Sequence, residues 1–128
     1  MATDKIKILI IEDNSIVVML LTETLKQIGY EIVGAVASGE QALVDYIILQ
    51  PDLLIVDIHL EGQLSGIEMV AKIKEERNIA VIYLSGDLTP ETISLGKKTK
   101  PNGYLKKPID INQLKTSIEM IDFDDYKN

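Results

Sequence analysis

The chain of 128 residues contains no cysteine, a single histidine and a single arginine. Without cysteine it cannot form disulfides, thiolate zinc sites, iron–sulfur clusters or a cysteine nucleophile. Basic residues are also few, since 13 of them stand against 20 acidic ones and the net charge is −7. A free-standing nucleic-acid-binding protein normally has a basic face, so no direct contact with nucleic acid is predicted.

Long apolar runs are missing as well. The longest covers residues 16–21, which is far too short to span a membrane. The first residues carry charges at positions 4, 5 and 7 and do not have the pattern of a signal peptide. We therefore expect a soluble, cytoplasmic protein without membrane contact.

The length suits one domain, which we predict to cover residues 1–128 with a core from about residue 5 to residue 121. The apolar share of 46% is ordinary for a globular protein. A chain of this length can bury roughly two thirds of its unfolded surface, so a core is possible without crosslinks. The acidic tail, residues 122–128, is expected to fray.

Apolar runs of strand length alternate with amphipathic helical patterns along the chain. In these runs Ile, Val and Leu follow one another almost without interruption, which is typical of strands buried on both faces of a parallel sheet. Helix signals lie between them: Gly29 is a stop signal, Ser38 with Gln41 resembles a capping box, and Asp110 with Gln113 is a further cap. The strand candidates are residues 6–11, 32–37, 53–56, 80–84 and a shorter run at 103–105.

Five strand–helix units in succession predict an α/β fold with a doubly wound parallel sheet. Crossovers between parallel strands are right-handed, so the helices cover both faces of the sheet. The second helix should bury Ala42, Leu43, Tyr46 and Ile47, whereas the fourth is short and poor in apolar residues. In such folds ligands sit beyond the carboxyl ends of the strands.

Polar residues follow four of the predicted strands at those carboxyl ends. Glu12 and Asp13 follow the first strand, Asp57 the third, Ser85 the fourth and Lys107 the fifth. Three carboxylates together raise one another's pKa, and a divalent cation relieves this repulsion. An all-oxygen donor set favours Mg²⁺, for which Mn²⁺ can substitute. A lysine and a hydroxyl opposite the metal complete a site that can hold a phosphoryl group.

These elements, together with the run Gly103-Tyr104-x-x-Lys107-Pro108, resemble the receiver domain of response regulators in two-component signalling. The resemblance covers the chain from about residue 5 to residue 121. It implies a five-stranded sheet in the order 2-1-3-4-5 with five helices, the flavodoxin-like or CheY-like arrangement. It also implies a signalling module that is not an enzyme acting on free metabolites and that catalyses only its own phosphorylation and dephosphorylation.

Carried over residue by residue, the resemblance implies a metal and phosphoryl site around Asp57. Asp57 would be the phosphoacceptor and would take its phosphoryl group from a phosphohistidine. Asp13 and Asp57 would bind Mg²⁺ directly, Glu12 through water, and the backbone carbonyl of His59 would be a further ligand. The partner would be a sensor histidine kinase or a phosphotransfer protein.

The same resemblance assigns the remaining residues to the response that follows phosphorylation. Ser85 and Lys107 would hold the phosphoryl oxygens, and Tyr104 would be the aromatic residue whose orientation reports the state. The bond between Lys107 and Pro108 is cis in the family. Because Lys107 directly precedes Pro108, the phosphoryl role falls to it and not to Lys106. The phosphorylation signal would pass through the surface of the fourth helix, fifth strand and fifth helix. It would reach a partner protein, an output domain outside this sequence or a second copy of the chain.

Two features depart from the usual family pattern. Glu12 stands where aspartate is commoner, and the segment from His59 to Gly66 reaches its glycine one residue later than in many receivers. This version resembles receivers found with PAS-type sensory kinases and stand-alone receivers. The side chains of His59 and Asp87, each two residues beyond a site residue, are placed to flank the line of water attack on a phosphorylated Asp57.

Three other readings of the same residues stay open at this point. A Mg²⁺-dependent phosphohydrolase of the haloacid-dehalogenase type also uses a strand-end aspartate, but it needs a second acid where this chain has His59. A flavin-binding module would want a Ser/Thr/Gly-rich loop after the first strand, where Glu12 and Asp13 would repel phosphate. A docking domain without phosphorylation would not need the acidic triad.

Overall fold

The computed structural model describes residues 5–60 and 62–126, in which five strands alternate with five helices. The strands are β1 (Lys7–Ile11), β2 (Glu31–Val36), β3 (Leu53–Asp57), β4 (Ala80–Ser85) and β5 (Gly103–Lys106). The helices are α1 (Ser15–Ile28), α2 (Gly39–Leu49), α3 (Gly66–Glu76), α4 (Pro90–Lys97) and α5 (Ile111–Glu119), followed by a short 3₁₀ helix at Phe123–Tyr126.

All strand pairs are parallel, and the strands lie in the order β2-β1-β3-β4-β5. In the middle of the sheet Ile10 lies opposite Ile55, and Ile55 lies opposite Ile82. The doubly wound α/β sheet with strand order 2-1-3-4-5 that the sequence predicts is therefore confirmed. The carboxyl ends of β1, β3 and β4 meet at one edge, as parallel pairing requires.

Two apolar layers pack against opposite faces of this sheet. Along β1 the side chains alternate between the layers: Leu9 and Ile11 contact the layer containing α2 and α3 residues, whereas Ile8 and Ile10 contact the layer with α1 and α5. All residues of β3 and β4 are buried, because helices cover both of their faces. This double burial explains why the central strands are almost continuously apolar.

Side-chain caps fix where the helices begin. The Oγ of Ser38 accepts a hydrogen bond from the amide of Gln41, as predicted, but the Gln41 side chain donates to Asp45 and does not close a capping box. A reciprocal box exists instead at the start of α3, where Ser65 and Glu68 each accept a hydrogen bond from the other's amide. The start of α3 is therefore held firmly at the end of the loop that follows Asp57.

The acidic tail differs from the expectation that it frays. Phe123 and Tyr126 pack against the apolar layer that contains α1 and α5. The hydroxyl of Tyr126 also accepts a hydrogen bond of 2.9 Å from the side-chain amide of Asn102. Two aromatic side chains thus stabilise a turn whose charge pattern alone favours solvent. Residues 127 and 128 lie outside the described residues.

Among the described residues, no helix combines the length and apolar character needed to cross a membrane. One predicted core position is wrong, because Ile47 is 60% exposed on the outer face of α2. Ala42 and Tyr46 of the same helix are buried as expected. A position one residue beyond Tyr46 is rotated by about 100° around a helix, which carries Ile47 off the buried face.

These exposures give a matched test of the core. Ile55→Ala in β3 should lower the free energy of unfolding by about 2–5 kcal/mol, because Ile55 is fully buried and its loss leaves a cavity. Ile47→Ala should change the same quantity by less than about 0.5 kcal/mol, since its side chain is already largely in water. Urea denaturation of both variants measures the difference. Equal losses in the two variants would contradict the assigned core.

Candidate functional site

The carboxyl edge of the sheet collects the acidic side chains. Glu12 and Asp13 directly follow β1, and Asp57 is the last residue of β3. One carboxylate oxygen from each of these three residues lies within 4.8 Å of the others. Glu12 and Asp57 are only 2% and 4% exposed, whereas Asp13 faces solvent. The cluster is thus built from two buried carboxylates and one accessible one.

Backbone amides fix the orientation of the two buried carboxylates. The amide of Asn14 donates to Oε2 of Glu12 at 3.0 Å, and the amide of His59 donates to Oδ1 of Asp57 at 2.9 Å. Asn14 is also the N-cap of α1, since its side chain accepts hydrogen bonds from the amides of Ile16 and Val17. The beginning of α1 and the loop after β3 therefore hold the carboxylates from opposite sides.

Lys107 brings the only nearby cation among the described residues into this cluster. Its Nζ lies 2.6 Å from Oε1 of Glu12 and 3.1 Å from Oδ2 of Asp57. Both contacts are ion pairs, and the one with Asp57 is also a hydrogen bond donated by the ammonium. Lys106 is exposed at the end of β5 and forms no ion pair within the described residues.

Backbone geometry directs Lys107 toward the carboxylates. Its amide donates to the carbonyl of Ser85 at 2.9 Å, which ties the end of β5 to the end of β4. The peptide bond between Lys107 and Pro108 is cis. The ammonium reaches past the end of β4 to Glu12, which follows β1, and to Asp57, which ends β3.

Burial and charge shift the two ionisable partners in ways that fit the geometry. Burial raises the pKa of Glu12, and the charge of Asp57 adds to this, although Lys107 and the Asn14 amide oppose it. Burial by itself would lower the pKa of Lys107, but the carboxylates of Glu12 and Asp57 outweigh this and raise it. Lys107 is therefore protonated at neutral pH, and one positive charge faces three carboxylates.

This charge imbalance suits a divalent cation. The donors are all carboxylate oxygens, the group contains one accessible member, and the described residues offer no histidine or cysteine cluster there. Hard oxygen donors with room for water are the usual surroundings of Mg²⁺. The residues present therefore fit a magnesium site formed by Glu12, Asp13 and Asp57, with the backbone at His59 adjacent to Asp57.

Ser85 ends β4 and is fully buried. Its hydroxyl donates to the carbonyl of Asp87 and accepts from the amide of the same residue, both at 3.0 Å. Its partners are thus supplied by the turn between β4 and α4. A new acceptor near Asp57 would compete with the Asp87 carbonyl for the hydroxyl proton.

Tyr104 lies half-buried on β5 against α4. Its hydroxyl donates to the carbonyl of Ile93 at 3.0 Å, and its ring centroid is 5.8 Å from that of Tyr83. A Cβ on Gly96 would lie 2.7 Å from the Tyr104 hydroxyl oxygen and 2.9 Å from its Cε1 atom. The absence of a side chain at Gly96 therefore makes room for the Tyr104 ring.

Sequence reasoning missed a hydrogen-bonded contact between β4 and the residue Thr99, which follows α4. The hydroxyls of Tyr83 and Thr99 share a hydrogen bond of 2.7 Å, and Thr99 donates onward to the carbonyl of Gly96 at 2.6 Å. Burial raises the pKa of Tyr83 to about 12, so its hydroxyl stays protonated. The two residues are 16 positions apart and carry no shared motif, so no sequence signal identifies the pair.

The other predicted residues lie at the margin of the cluster. His59 and Asp87 are exposed beside Asp57 and Ser85, and the lysines at 97, 98 and 100 are exposed near the end of α4. Two cavities of about 430 and 440 Å³ lie at the opposite, amino-terminal edge of the sheet around Asp52, Arg77 and Phe123. We place the chemistry at the acidic cluster, because only there do charged side chains converge with burial.

Comparison with known proteins agrees with this arrangement. The family model described as the response regulator receiver domain matches residues 8–119. The chain therefore belongs to the response regulator receiver family, whose members are signalling modules of two-component systems. The resemblance drawn from the sequence motifs is confirmed.

Individual relatives cover most of this chain. The transcriptional regulatory protein PdtaR of Mycobacterium tuberculosis is 30% identical over 114 residues, which are 89% of this chain and 55% of that protein. The signal receiver domain of a modulated diguanylate cyclase from Desulfovibrio desulfuricans is 35% identical, with a TM-score of 0.85 and coverage of 91% and 93%. A CheY-like receiver domain protein from Methanospirillum hungatei, 22% identical over 96% and 97% of the two chains with a TM-score of 0.85, shares the fold. The chain spans about half the length of the curated relatives it matches.

Removing the cation tests the electrostatics of the cluster. In Lys107→Ala the pKa of Glu12 should rise further, because burial and the charge of Asp57 would remain without the opposing ammonium. Lys106→Ala should leave it unchanged. NMR titration of the Glu side-chain carboxyl carbons measures this pKa in both variants. A shift of Glu12 in Lys106→Ala and not in Lys107→Ala would contradict the site as described.

Proposed function

We propose that Asp57 accepts a phosphoryl group from a phosphohistidine on a sensor histidine kinase or phosphotransfer protein. The observation that carries this proposal is the junction of Asp57 with Glu12, Asp13 and Lys107 at one edge of the sheet. Asp57 is the member of the cluster that contacts both the cation and the β3–α3 loop. A carboxylate between a cation and a metal site is well placed to act as a nucleophile toward phosphorus.

The reaction exchanges one phosphorus bond for another. A carboxylate oxygen of Asp57 forms a bond to phosphorus, the P–N bond of the phosphohistidine breaks, and the imidazole keeps the electron pair. The product is an aspartyl phosphate on this chain. Mg²⁺ held by Asp13 and Asp57, with Glu12 acting through water, would supply charge neutralisation for the phosphoryl oxygens.

Lys107 and Ser85 would then contact the new phosphoryl group. The Lys107 ammonium, now paired with Glu12 and Asp57, can move to a phosphoryl oxygen, and the Ser85 hydroxyl can leave the Asp87 carbonyl for another. Shifting the protein from a 1:99 to a 99:1 ratio of active to inactive conformers takes about 5.5 kcal/mol. Two charge-assisted hydrogen bonds to the phosphoryl group, at about 1.5–3 kcal/mol each, are of this size.

The altered surface would be formed by α4, β5 and α5. Movement of Ser85 at the end of β4 opens space beside Tyr104 on the neighbouring strand. Because Gly96 is the only buried residue of α4, displacement of this helix costs little packing energy. The partner that reads this surface would be a cytoplasmic protein, an output domain of a longer protein or a second copy of the chain. His59 and Asp87 would border the water that hydrolyses the phosphate.

Phosphorylation itself can be measured directly. Incubation of the protein with a small phosphodonor and Mg²⁺ should add one phosphoryl group, detected by intact-protein mass spectrometry. Asp57→Asn should abolish this addition, because an amide cannot form the acyl phosphate. Omission of Mg²⁺ should prevent the addition in the unsubstituted protein, since the three carboxylates would repel the donor.

Two controls separate this function from its competitors. Asp13→Asn should raise the Mg²⁺ concentration needed for half-maximal phosphorylation, whereas Asp45→Asn on the outer part of α2 should not. A phosphoryl group that persists in Asp57→Asn would overturn the assignment of Asp57. Rapid, repeated release of phosphate from free phosphomonoesters would instead identify a phosphohydrolase.

The Tyr104 position can be tested through Gly96. Gly96→Ala should force the Tyr104 ring out of its contact with α4, because the new Cβ would overlap the ring. The variant should still accept phosphate but should show a reduced NMR response of residues 90–121 to a beryllofluoride phosphate mimic. Ser85→Ala should reduce the same response through loss of its hydroxyl.

Gly103→Ala is the matched control for Gly96→Ala. A Cβ at Gly103 would meet only the Ser117 hydroxyl, at 4.0 Å, so the response to the mimic should stay as in the unsubstituted protein. If the mimic changes NMR shifts only near Asp57 in the unsubstituted protein, the proposed path through Ser85 and Tyr104 does not operate.

A further inference from the structure

Glu40, in the first turn of α2, contacts a loop that is distant from it in sequence. Its Oε2 accepts hydrogen bonds from the backbone amides of Gln63 and Leu64, each at 3.2 Å. These amides belong to the loop between β3 and α3, which begins directly after Asp57. One carboxylate therefore ties the start of α2 to the loop that borders the acidic cluster.

The packing around this contact is close. A Cβ on Gly39 would lie 3.1 Å from Cβ of Leu64, so a larger residue there would press against the loop. Gly62 has a φ of +107°, a conformation that other residues rarely adopt, and a Cβ there would lie 3.2 Å from Oε1 of Glu40. Glycines on both sides thus let the Glu40 carboxylate approach the loop backbone.

The end of the loop is packed against Asp57. A Cβ on Gly66 would lie 2.3 Å from the carbonyl oxygen of Asp57, and the amide of Gly66 donates to the carbonyl of Ile58 at 3.0 Å. Between these anchors, the amide of His59 donates to Oδ1 of Asp57. The loop is therefore held at Gly66 by backbone packing and at residues 63 and 64 by a side chain from another helix.

We infer that Glu40 is a positioning residue for the reaction at Asp57, acting through the β3–α3 loop on the His59 backbone. This inference rests on the proposed function, because it concerns the phosphoryl and metal chemistry of that site. The His59 amide orients the acceptor carboxylate, and its carbonyl belongs to the same peptide segment. Groups behind a metal ligand fix its direction, and their loss commonly weakens metal binding about 10- to 100-fold.

Three substitutions at Glu40 separate the effect of its side-chain length from the effect of its charge. Glu40→Ala removes the acceptor, Glu40→Asp keeps the charge in the first turn of α2 but shortens the side chain by one methylene, and Glu40→Gln keeps an oxygen acceptor at the same reach. Asp45→Ala is the control on the same helix, since Asp45 contacts Gln41 and not the loop. Asp also suits the start of a helix, so Glu40→Asp keeps α2 intact.

The first measurement is amide hydrogen exchange at Gln63, Leu64 and His59. Exchange at Gln63 and Leu64 should accelerate about tenfold in Glu40→Ala and Glu40→Asp, because a hydrogen bond to a charged group is lost. The second is a Mg²⁺ titration followed by NMR, in which the same two variants should bind about tenfold more weakly. Glu40→Gln should retain most of the protection and affinity, and Asp45→Ala all of it.

The outcomes distinguish this inference from the proposed function. Faster exchange at Gln63 and Leu64 with unchanged Mg²⁺ affinity and phosphorylation rate would show that Glu40 only stabilises the loop, and would overturn the inference. Loss of Mg²⁺ affinity in Glu40→Gln with unchanged affinity in Glu40→Asp would also overturn it, since charge and not loop contact would then be responsible. Failure of the unsubstituted protein to bind Mg²⁺ or accept phosphate would count against the proposed function itself.

Discussion

The ion pairs of Lys107 with two buried carboxylates are the interaction on which the rest of this edge depends. Glu12 and Asp57 are almost fully buried, and carboxylates in such surroundings are costly unless a charge or hydrogen bond compensates them. The ammonium lies 2.6 Å from one and 3.1 Å from the other. Since Glu12 follows β1, Asp57 ends β3 and Lys107 follows β5, one cation connects three strand ends across the end of β4.

The parallel sheet makes this convergence possible. Residues that are about 50 positions apart, such as Asp57 and Lys107, meet because every strand ends at the same edge. Two apolar layers keep the central strands fixed, so the carboxylates stand on a rigid base. The contacts best suited to rearrange lie around α4, where the hydroxyls of Thr99 and Tyr104 donate to carbonyls of a helix with little buried apolar surface. The rigid and adaptable parts of the fold are thus adjacent.

The sequence predicts the elements and the acidic cluster well for physical reasons. Continuous apolar runs have few alternatives to buried parallel strands, and polar residues directly after them must meet at the carboxyl edge. Contacts that depend on side-chain reach are not predictable in this way. The Glu40 carboxylate accepts hydrogen bonds from the amides of Gln63 and Leu64, which are 23 and 24 residues away, and no local sequence pattern predicts this contact. The turn at Phe123–Tyr126 was not predicted for a similar reason, because two aromatic side chains pack on the core and outweigh a run of acidic residues.

Ionised Glu12 reduces the stability of the fold, and this follows from the sign of its pKa shift. A carboxyl whose pKa is raised in the folded state binds its proton more tightly there than in the unfolded chain. The free energy of unfolding therefore falls as the pH rises above the ordinary value of 4.5 and through the folded pKa. Lys107 offsets part of this cost up to the alkaline range, since its own raised pKa keeps it charged above 10.5. A cation bound among Glu12, Asp13 and Asp57 would also offset the cost of these charges and raise the free energy of unfolding. The same carboxylates that weaken the fold therefore favour cation binding at this edge.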